Sequence, residues 1–140
     1  MMSAEYTRGN AMIDTTHSIE ELENDVWGEP AFGSYIVTVC HKARKKPIKS
    51  LSDEEIRCLI GQKTGLRYLL PIAVEILQKE PLIGITYFEG DLLLTLLRLD
   101  RADWADNPAE LQRFLGIIRD HCTQIEQSEE IPRRLIEQYI

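Results

Sequence analysis

The strongest constraint on the fold is a run of leucines centred near position 95. Six leucines fall between residues 92 and 99, interrupted by Thr95 and Arg98. A helix with this pattern is apolar on nearly all of its sides, so other elements have to bury it. We therefore expect a central buried helix that begins after Asp91, with Asp91 as its cap. The rest of the chain has to supply the elements that cover this helix.

The surrounding segments have the spacing of amphipathic helices with recognisable ends. Capping boxes at Ser18–Glu21 and Ser52–Glu55 predict two helix starts, and the first of these helices should run from Ile19 to about Val26. Pro108 suits the first position of a helix and opens the clearest amphipathic pattern in the chain, which predicts one long helix. Its apolar positions are Leu111, Phe114, Leu115, Ile118, Cys122 and Ile125.

Two further segments need an argument before they can be assigned. The stretch Tyr35–Val39 is rich in β-branched and aromatic residues, which is typical of a strand. Its apolar residues nevertheless fall at helical spacing between Ser34 and Pro47, so we predict a helix. The helix predicted over 66–79 contains Pro71. Proline lacks a backbone N–H, so this helix should kink or begin again at that residue.

Together these segments predict an all-α fold, a compact single-domain bundle of about six to eight helices. The chain has 140 residues, of which 44% are hydrophobic, and this is enough for one core. Residues 1–16 show no sustained period, so we expect an N-terminal arm there. Residues 17–140 are expected to form a single helical domain.

The composition is acidic, with 16 basic and 23 acidic residues and a net charge of −7. Binding nucleic acid through phosphate contacts requires a basic surface, so we expect no nucleic-acid partner. No uncharged stretch reaches the roughly 18 residues of a membrane span, and no signal peptide is visible. We therefore expect a cytoplasmic protein without membrane contact. The three cysteines are an odd number without a C-x-x-C motif, which indicates reduced thiols.

The reactive side chains form no motif that specifies a reaction. The pairs Cys40–His41 and His121–Cys122 could meet if their helices faced each other, and a small enzyme that uses them is one alternative. Adjacent residues on a helix point about 100° apart, so neither pair can chelate a metal from a single helix. The segment Gly61–Gly65 lacks the spacing of a phosphate-binding loop. We expect no catalytic residues, no metal and no cofactor.

Two acidic groups surround the two tryptophans and are the candidate contact sites for a partner. Residues 1–31 carry seven acids against Arg8, and Trp27 lies among them. An aromatic anchor among carboxylates suits a basic protein partner, but the pattern is equally compatible with two core tryptophans. The predicted partner-binding residues are Glu20, Glu21, Glu23, Asp25, Trp27, Asp100, Asp103, Trp104 and Asp106.

The charge distribution also permits self-association. The basic residues at 42–49 could pair head to tail with the acidic residues at 18–29 of another copy, which would give a homo-oligomeric scaffold or adaptor. Charge pairing of this kind weakens as salt screens it. The sequence alone leaves the oligomeric state open.

A series of short blocks between residues 34 and 99 resembles a known protein family. In this order the blocks are similar to the helical immunity proteins of bacterial contact-dependent growth inhibition (CDI) systems. The blocks include Ser34–Val37, Cys40–His41, Arg44–Pro47, Leu59–Gln62, Tyr68–Ala73, Glu75–Leu77 and Gly90–Leu93.

The resemblance implies a non-enzymatic cytoplasmic protein without a cofactor. Such a protein binds the C-terminal toxin domain of a cognate CDI exoprotein, delivered by a neighbouring cell, and neutralises it. Many of these toxin domains are nucleases with basic active-site clefts, so the expected partner is a nuclease or ribonuclease that is blocked at its active site. The acidic net charge fits this expectation, because opposite charges speed association. The matching blocks serve the fold, so the expected contact residues are those of the two acidic groups.

Overall fold

The computed structural model describes residues 5–8, 11–28 and 33–140. Two short antiparallel strands, β1 (Glu5–Arg8) and β2 (Ala11–Asp14), come first and pair with Tyr6 opposite Ile13. They lie in the predicted arm, where the sequence indicated no strand. Beyond this hairpin every regular element of the described residues is helical, which confirms the all-α class of the body.

Eight α-helices follow within the described residues, the upper end of the predicted number, and two short 3₁₀ helices lie between them. The α-helices are α1 (Ile19–Glu23), α2 (Tyr35–Ala43), α3 (Asp53–Gly61), α4 (Leu66–Lys79), α5 (Asp91–Leu97), α6 (Pro108–Asp120), α7 (Cys122–Glu126) and α8 (Arg133–Glu137). The 3₁₀ helices are Ile48–Ser50 and Arg101–Trp104.

The leucine-rich helix α5 lies at the centre of the core, as its composition predicts. All of its residues are buried except Thr95, which is half-buried. Helices α3 and α4 pack against α5, and α4 also packs against α6. The apolar sides of the amphipathic helices face inward, and their buried residues form one continuous core around α5.

The two predicted capping boxes are both present. Ser18 and Ser52 each accept a hydrogen bond from the backbone N–H three residues on, and Glu21 and Glu55 each accept one in return from the serine N–H. Helix α1 is shorter than predicted, because Asn24 takes the left-handed conformation at φ 52° and ends it.

Helix α4 passes through Pro71 without restarting, and a side chain from another part of the chain explains how. Proline has no N–H to offer the carbonyl of Arg67 one turn earlier. The buried Asn107 donates its Nδ2–H to that carbonyl at 3.0 Å, so the carbonyl is satisfied from outside the helix. Of the two predicted outcomes, a new start at Pro71 was therefore wrong, and a kink there stays a prediction.

Two other helix ends differ from their predictions. Gly90, at φ 92°, is the N-cap of α5, and Asp91 is its first residue rather than its cap. The long helix predicted from Pro108 ends at Asp120, and a separate helix, α7, begins at Cys122. Ile125 is buried all the same, because α7 packs back against α6 and continues the apolar side.

Candidate partner-binding site

A buried arginine organises the first acidic group. The Arg44 side chain is only 1% exposed, and it ends at the segment that follows α1. Its Nη1 donates to Glu23 Oε1 at 2.6 Å, and its Nη2 donates to the backbone oxygen of Asp25 at 2.5 Å. The planar guanidinium also lies 4.0 Å from the centre of the Trp27 ring. One cation thus fixes a carboxylate, a backbone carbonyl and an aromatic ring.

Backbone hydrogen bonds fasten α1 and the residues before it to the segment that follows α2. The N–H of Glu20 donates to the carbonyl of Arg44 at 3.1 Å, and the N–H of Ile48 donates to that of His17 at 3.0 Å. A third bond joins the N–H of Lys49 to the carbonyl of Thr15 at 3.0 Å. The acidic helix is therefore held in a fixed position on the body.

Trp27 stays at the surface and is held there from two sides. Its ring is half-buried between Arg44 and His41, whose ring centre lies 5.0 Å away. Its indole N–H donates to Asp25 Oδ2 at 3.2 Å. The ring is thus ordered and still partly open to contact, which is the arrangement that an interface anchor needs.

The carboxylates around Trp27 differ in how much of their charge is matched within the chain. Glu20 pairs with Lys45 at 3.0 Å and Glu23 with Arg44. Glu21 accepts bonds from the Ser18 backbone and hydroxyl, which hold the pKa of its carboxyl below the ordinary value.

The basic run at 42–49, expected to lie opposite the acidic group, in fact lies beside it. Arg44 and Lys45 pair with acids of 18–29 in the same molecule, and Lys46 pairs with Glu55 at 2.6 Å. Much of the charge that a head-to-tail oligomer would use is therefore matched within one chain.

The second acidic group lies around a shared lysine. Lys63 Nζ lies 3.0 Å from Asp103 and 3.6 Å from Asp100, and these carboxylates raise the pKa of the lysine. Asp103 also accepts the N–H of Asp100 at 2.8 Å, which caps the short 3₁₀ helix. Asp106 is exposed and has no ion-pair partner among the described residues.

Trp104, at the centre of this second group, is a core residue. It is 1% exposed, stacks on Phe114 at 5.1 Å, and donates its indole N–H to the Tyr139 hydroxyl at 3.0 Å. The structure thus favours the core alternative for this tryptophan. A partner cannot reach its ring in this fold, whereas the neighbouring aspartates remain accessible.

The connection between α3 and α4 contacts both α1 and the second acidic group. Lys63 pairs with that group, and Gly65, two residues on, lies against the Ile19 side chain of α1. Gly65 has φ 68°, and a Cβ there would lie 2.6 Å from the Ile19 side chain. Only glycine allows this close approach with this backbone conformation.

The cysteine and histidine pairs are not brought together. Cys40 donates to the carbonyl of Cys58 at 3.7 Å, and burial raises the pKa of its thiol to about 11. Cys122 lies on α7, which packs against α6, whereas α2 packs against α3. A thiol that is protonated at neutral pH is a poor nucleophile. Within the described ranges, no three His, Cys, Asp or Glu residues converge as metal ligands would.

A second surface was not singled out from the sequence. The loop 84–90 carries Tyr87, which is 64% exposed, and buried Asp91 holds this loop in place. Asp91 accepts the backbone N–H groups of Ile85, Thr86 and Tyr87 at 2.8, 2.8 and 2.9 Å. The available signal was an aromatic pair at 87–88 between two glycines, since such a loop places aromatics at the surface.

The bonds to Asp91 also set its charge state. Burial alone would raise the pKa of the Asp91 carboxyl, but three backbone donors and the nearby Arg57 outweigh burial and lower it. Asp91 is therefore ionised at neutral pH, and its charge stabilises the loop.

None of the helices in the part of the chain that the structure describes is both long enough and apolar enough to cross a bilayer.

Comparison with known proteins identifies one matching family. A family model described as CDI immunity proteins matches residues 21–114, which is more than half of the chain and runs from α1 into α6. The match includes Arg44, Asp91 and both acidic groups almost completely. No curated protein matches the sequence.

Proposed function

Because the chain belongs to the family of CDI immunity proteins, we propose that it neutralises its cognate CDI toxin by holding the toxin domain in a stoichiometric complex. Family membership implies an inhibitor that acts without catalysis. The finer proposal is that the toxin domain is a basic nuclease, that the complex forms in the cytoplasm of the producing cell, and that binding blocks the active site.

The observation that supports this proposal most directly is the ordered Trp27 among carboxylates. Arg44 and His41 hold the ring in place before any partner arrives, so little conformational entropy is lost on binding. The carboxylates can steer a basic domain toward the ring, because long-range attraction raises the association rate.

The proposed contact surface keeps the accessible members of the predicted set. Trp104 is left out because its ring is in the core. The proposed contact residues are Glu20, Glu21, Glu23, Asp25, Trp27, Asp100, Asp103 and Asp106.

The test removes charge from side chains that form no helix cap and no hydrogen bond to Arg44. Glu21, Glu23 and Asp103 take part in caps or in the Arg44 contact, so their substitution would also change stability. We choose the triple variant Glu20→Gln, Asp25→Asn and Asp106→Asn, which keeps side-chain shape. Stopped-flow mixing with the purified C-terminal toxin domain of the cognate CDI exoprotein should show association about tenfold slower at low salt. The association rate constant of the variant should depend less steeply on salt concentration than that of wild type, and the dissociation rate constant should change less than about twofold.

A matched control removes the same charge from another part of the surface. Glu129, Glu130 and Glu137 are exposed near α8, and all three can be changed to glutamine. If this control slows association as much as the test variant, steering depends on net charge rather than on the proposed surface. If the wild-type protein neither binds the toxin domain nor suppresses its cleavage of RNA or DNA, the proposed function is wrong.

A further inference from the structure

Three of the most exposed apolar side chains in the described residues lie along α3. Tyr35 and Ile36, at the start of α2, are 63% and 41% exposed, and Tyr87 in the loop 84–90 is 64% exposed. Tyr35 donates its hydroxyl to Glu54 of α3 at 3.2 Å, and Tyr87 lies against Arg57 of the same helix. Apolar and aromatic groups exposed together mark a contact surface more strongly than the same groups scattered singly.

The aromatic side chains are held in place without a partner. The Arg57 guanidinium lies 4.9 Å from the Tyr87 ring centre, and its Nη2 donates to Thr86 Oγ1 at 3.4 Å. Asp91 fixes the backbone of the same loop through three hydrogen bonds. Tyrosine and arginine are the residues most enriched at interface hot spots, and a preordered loop loses little entropy on binding.

A cleft of about 210 Å³ opens beside Arg57, the residue that contacts Tyr87, and Ile36 is part of its wall. All of the charged residues that line it are cations: Arg57, Lys63 and Arg98. Arg57 and Lys63 have carboxylate neighbours, at 4.0 Å from Asp91 and 3.0 Å from Asp103. Arg98 is exposed at the end of α5 and has no ion-pair partner within the described part of the chain. The cleft is thus complementary to an added negative charge.

We propose that this cationic cleft, together with Tyr35 and Tyr87 along α3, is the anchoring half of the toxin interface and that it takes a carboxylate side chain of the toxin domain flanked by apolar residues. Arg98 would pair with the carboxylate, and Tyr35, Ile36 and Tyr87 would cover the apolar neighbours. This inference rests on the proposed function, since it assigns a second contact to the same toxin.

The position of the cleft relative to the acidic groups fits the usual anatomy of an interface. Lys63 lines the cleft and also pairs with Asp100 and Asp103, so the second acidic group borders it directly. Interfaces commonly combine an apolar and aromatic centre with a charged rim. The rim sets the association rate, and the centre sets the dissociation rate.

The experiment measures the association and dissociation rate constants for variants of the cleft, using the whole chain and the same toxin domain. We expect Tyr87→Ala and Arg98→Gln each to dissociate at least tenfold faster, with association within about twofold of wild type. Arg98→Lys keeps a positive charge and should recover most of the loss. Tyr35→Ala is a second aromatic variant in case Tyr87→Ala disturbs the loop, and circular dichroism establishes that each variant is folded.

Matched controls use exposed residues of the same kinds elsewhere. Arg119→Gln on α6 removes an exposed arginine, and Ile140→Ala removes an apolar side chain that is 54% exposed. Wild-type dissociation rates for Tyr35→Ala, Tyr87→Ala and Arg98→Gln, in a protein that binds the toxin domain, would overturn this inference and leave the proposed function intact. Equal losses for Arg98→Lys and Arg98→Gln would overturn the carboxylate assignment. Absence of any complex with the wild-type protein would overturn the proposed function itself.

Discussion

Residues 24–28 and residues 84–90 are both irregular and both place an aromatic ring at the surface, but opposite charges hold them. Arg44 donates to the first segment and lies against Trp27. Asp91 accepts three backbone N–H groups of the second segment, and the loop held in this way places the Tyr87 ring at the surface. In each segment a buried charged side chain forms hydrogen bonds with backbone groups, which in a helix would be satisfied by other backbone groups.

The difference between the two segments lies in their response to protons. Arg44 holds residues 24–28 through the backbone carbonyl of Asp25 and the Trp27 ring, neither of which titrates. Aspartate titrates, and the pKa of Asp91 is lowered by its backbone donors and Arg57 against the opposing effect of burial. Two similar surface segments can therefore differ in pH dependence, because protonation of Asp91 would weaken its hydrogen bonds to the loop 84–90.

The largest loss of stability should follow removal of the Arg44 side chain. Arg44→Ala is expected to lower the free energy of unfolding by about 3 kcal/mol, because it removes a charged hydrogen bond and the stacked contact with Trp27. Chemical denaturation followed by far-UV circular dichroism measures this. Arg44→Lys keeps the charge but loses the planar fork, so about half of the loss should remain. A loss below about 1 kcal/mol for Arg44→Ala would show that the Arg44 contacts do not hold the segment.

Removing the negative charge of Asp91 should cause a smaller loss of stability, and that loss should depend on pH. Asp91→Asn should cost about 2 kcal/mol at pH 7, because an amide cannot accept all three N–H groups. The folded pKa of Asp91 lies below that of the unfolded chain, so the unfolded state binds more protons as pH falls. The contribution of Asp91 is therefore complete above about pH 5 and is lost progressively below the ordinary aspartate value of about 3.9.

Unfolding measured from pH 7 down to pH 3 tests this second expectation. The difference in stability between wild type and Asp91→Asn should shrink as the pH falls. A wild-type to Asp91→Asn difference that stays constant down to pH 3 would contradict the role assigned to the Asp91 charge.

The smallest stability changes should come from the rings that the two charges display. Trp27→Ala should cost about 1 kcal/mol, since the ring is half-buried and stacked on Arg44. Tyr87→Ala should cost less, about 0.5 kcal/mol, because its ring is mostly exposed. Thermal unfolding of the two variants side by side gives the order. If the loss of either ring lowers stability more than the loss of the charged residue that holds it, the charged residue is not what fixes that segment.

Local signals in the sequence were sufficient for much of the helical body. Ser52 and Glu55 fix the start of α3 between themselves, and Pro108 fixes the start of α6, because caps depend on residues only a few positions apart. The burial of α5 followed from its own composition. These features need no knowledge of where the rest of the chain lies.

The features that could not be predicted depend on residues far apart in sequence. Trp104 and Trp27 lie in similar acidic surroundings, but only Trp104 has Tyr139 and Phe114 arranged to enclose it. The charge of the first acidic group was overestimated, because Arg44 and Lys45 are folded back onto it. The cleft was missed because its lining residues come from α2, α3, the α3–α4 connection and α5, which lie apart in the sequence.

The contact between Asn107 and the carbonyl of Arg67 makes two distant positions depend on each other. With proline at position 71, the amide of Asn107 replaces a donor that α4 lacks. A residue with its own N–H at 71 would make that amide redundant, and the energetic effect of changing 107 would then shrink. Related sequences should therefore tend to exchange the two residues together, so this pair can be sought as a covariation that reports the packing of α4 against the start of α6.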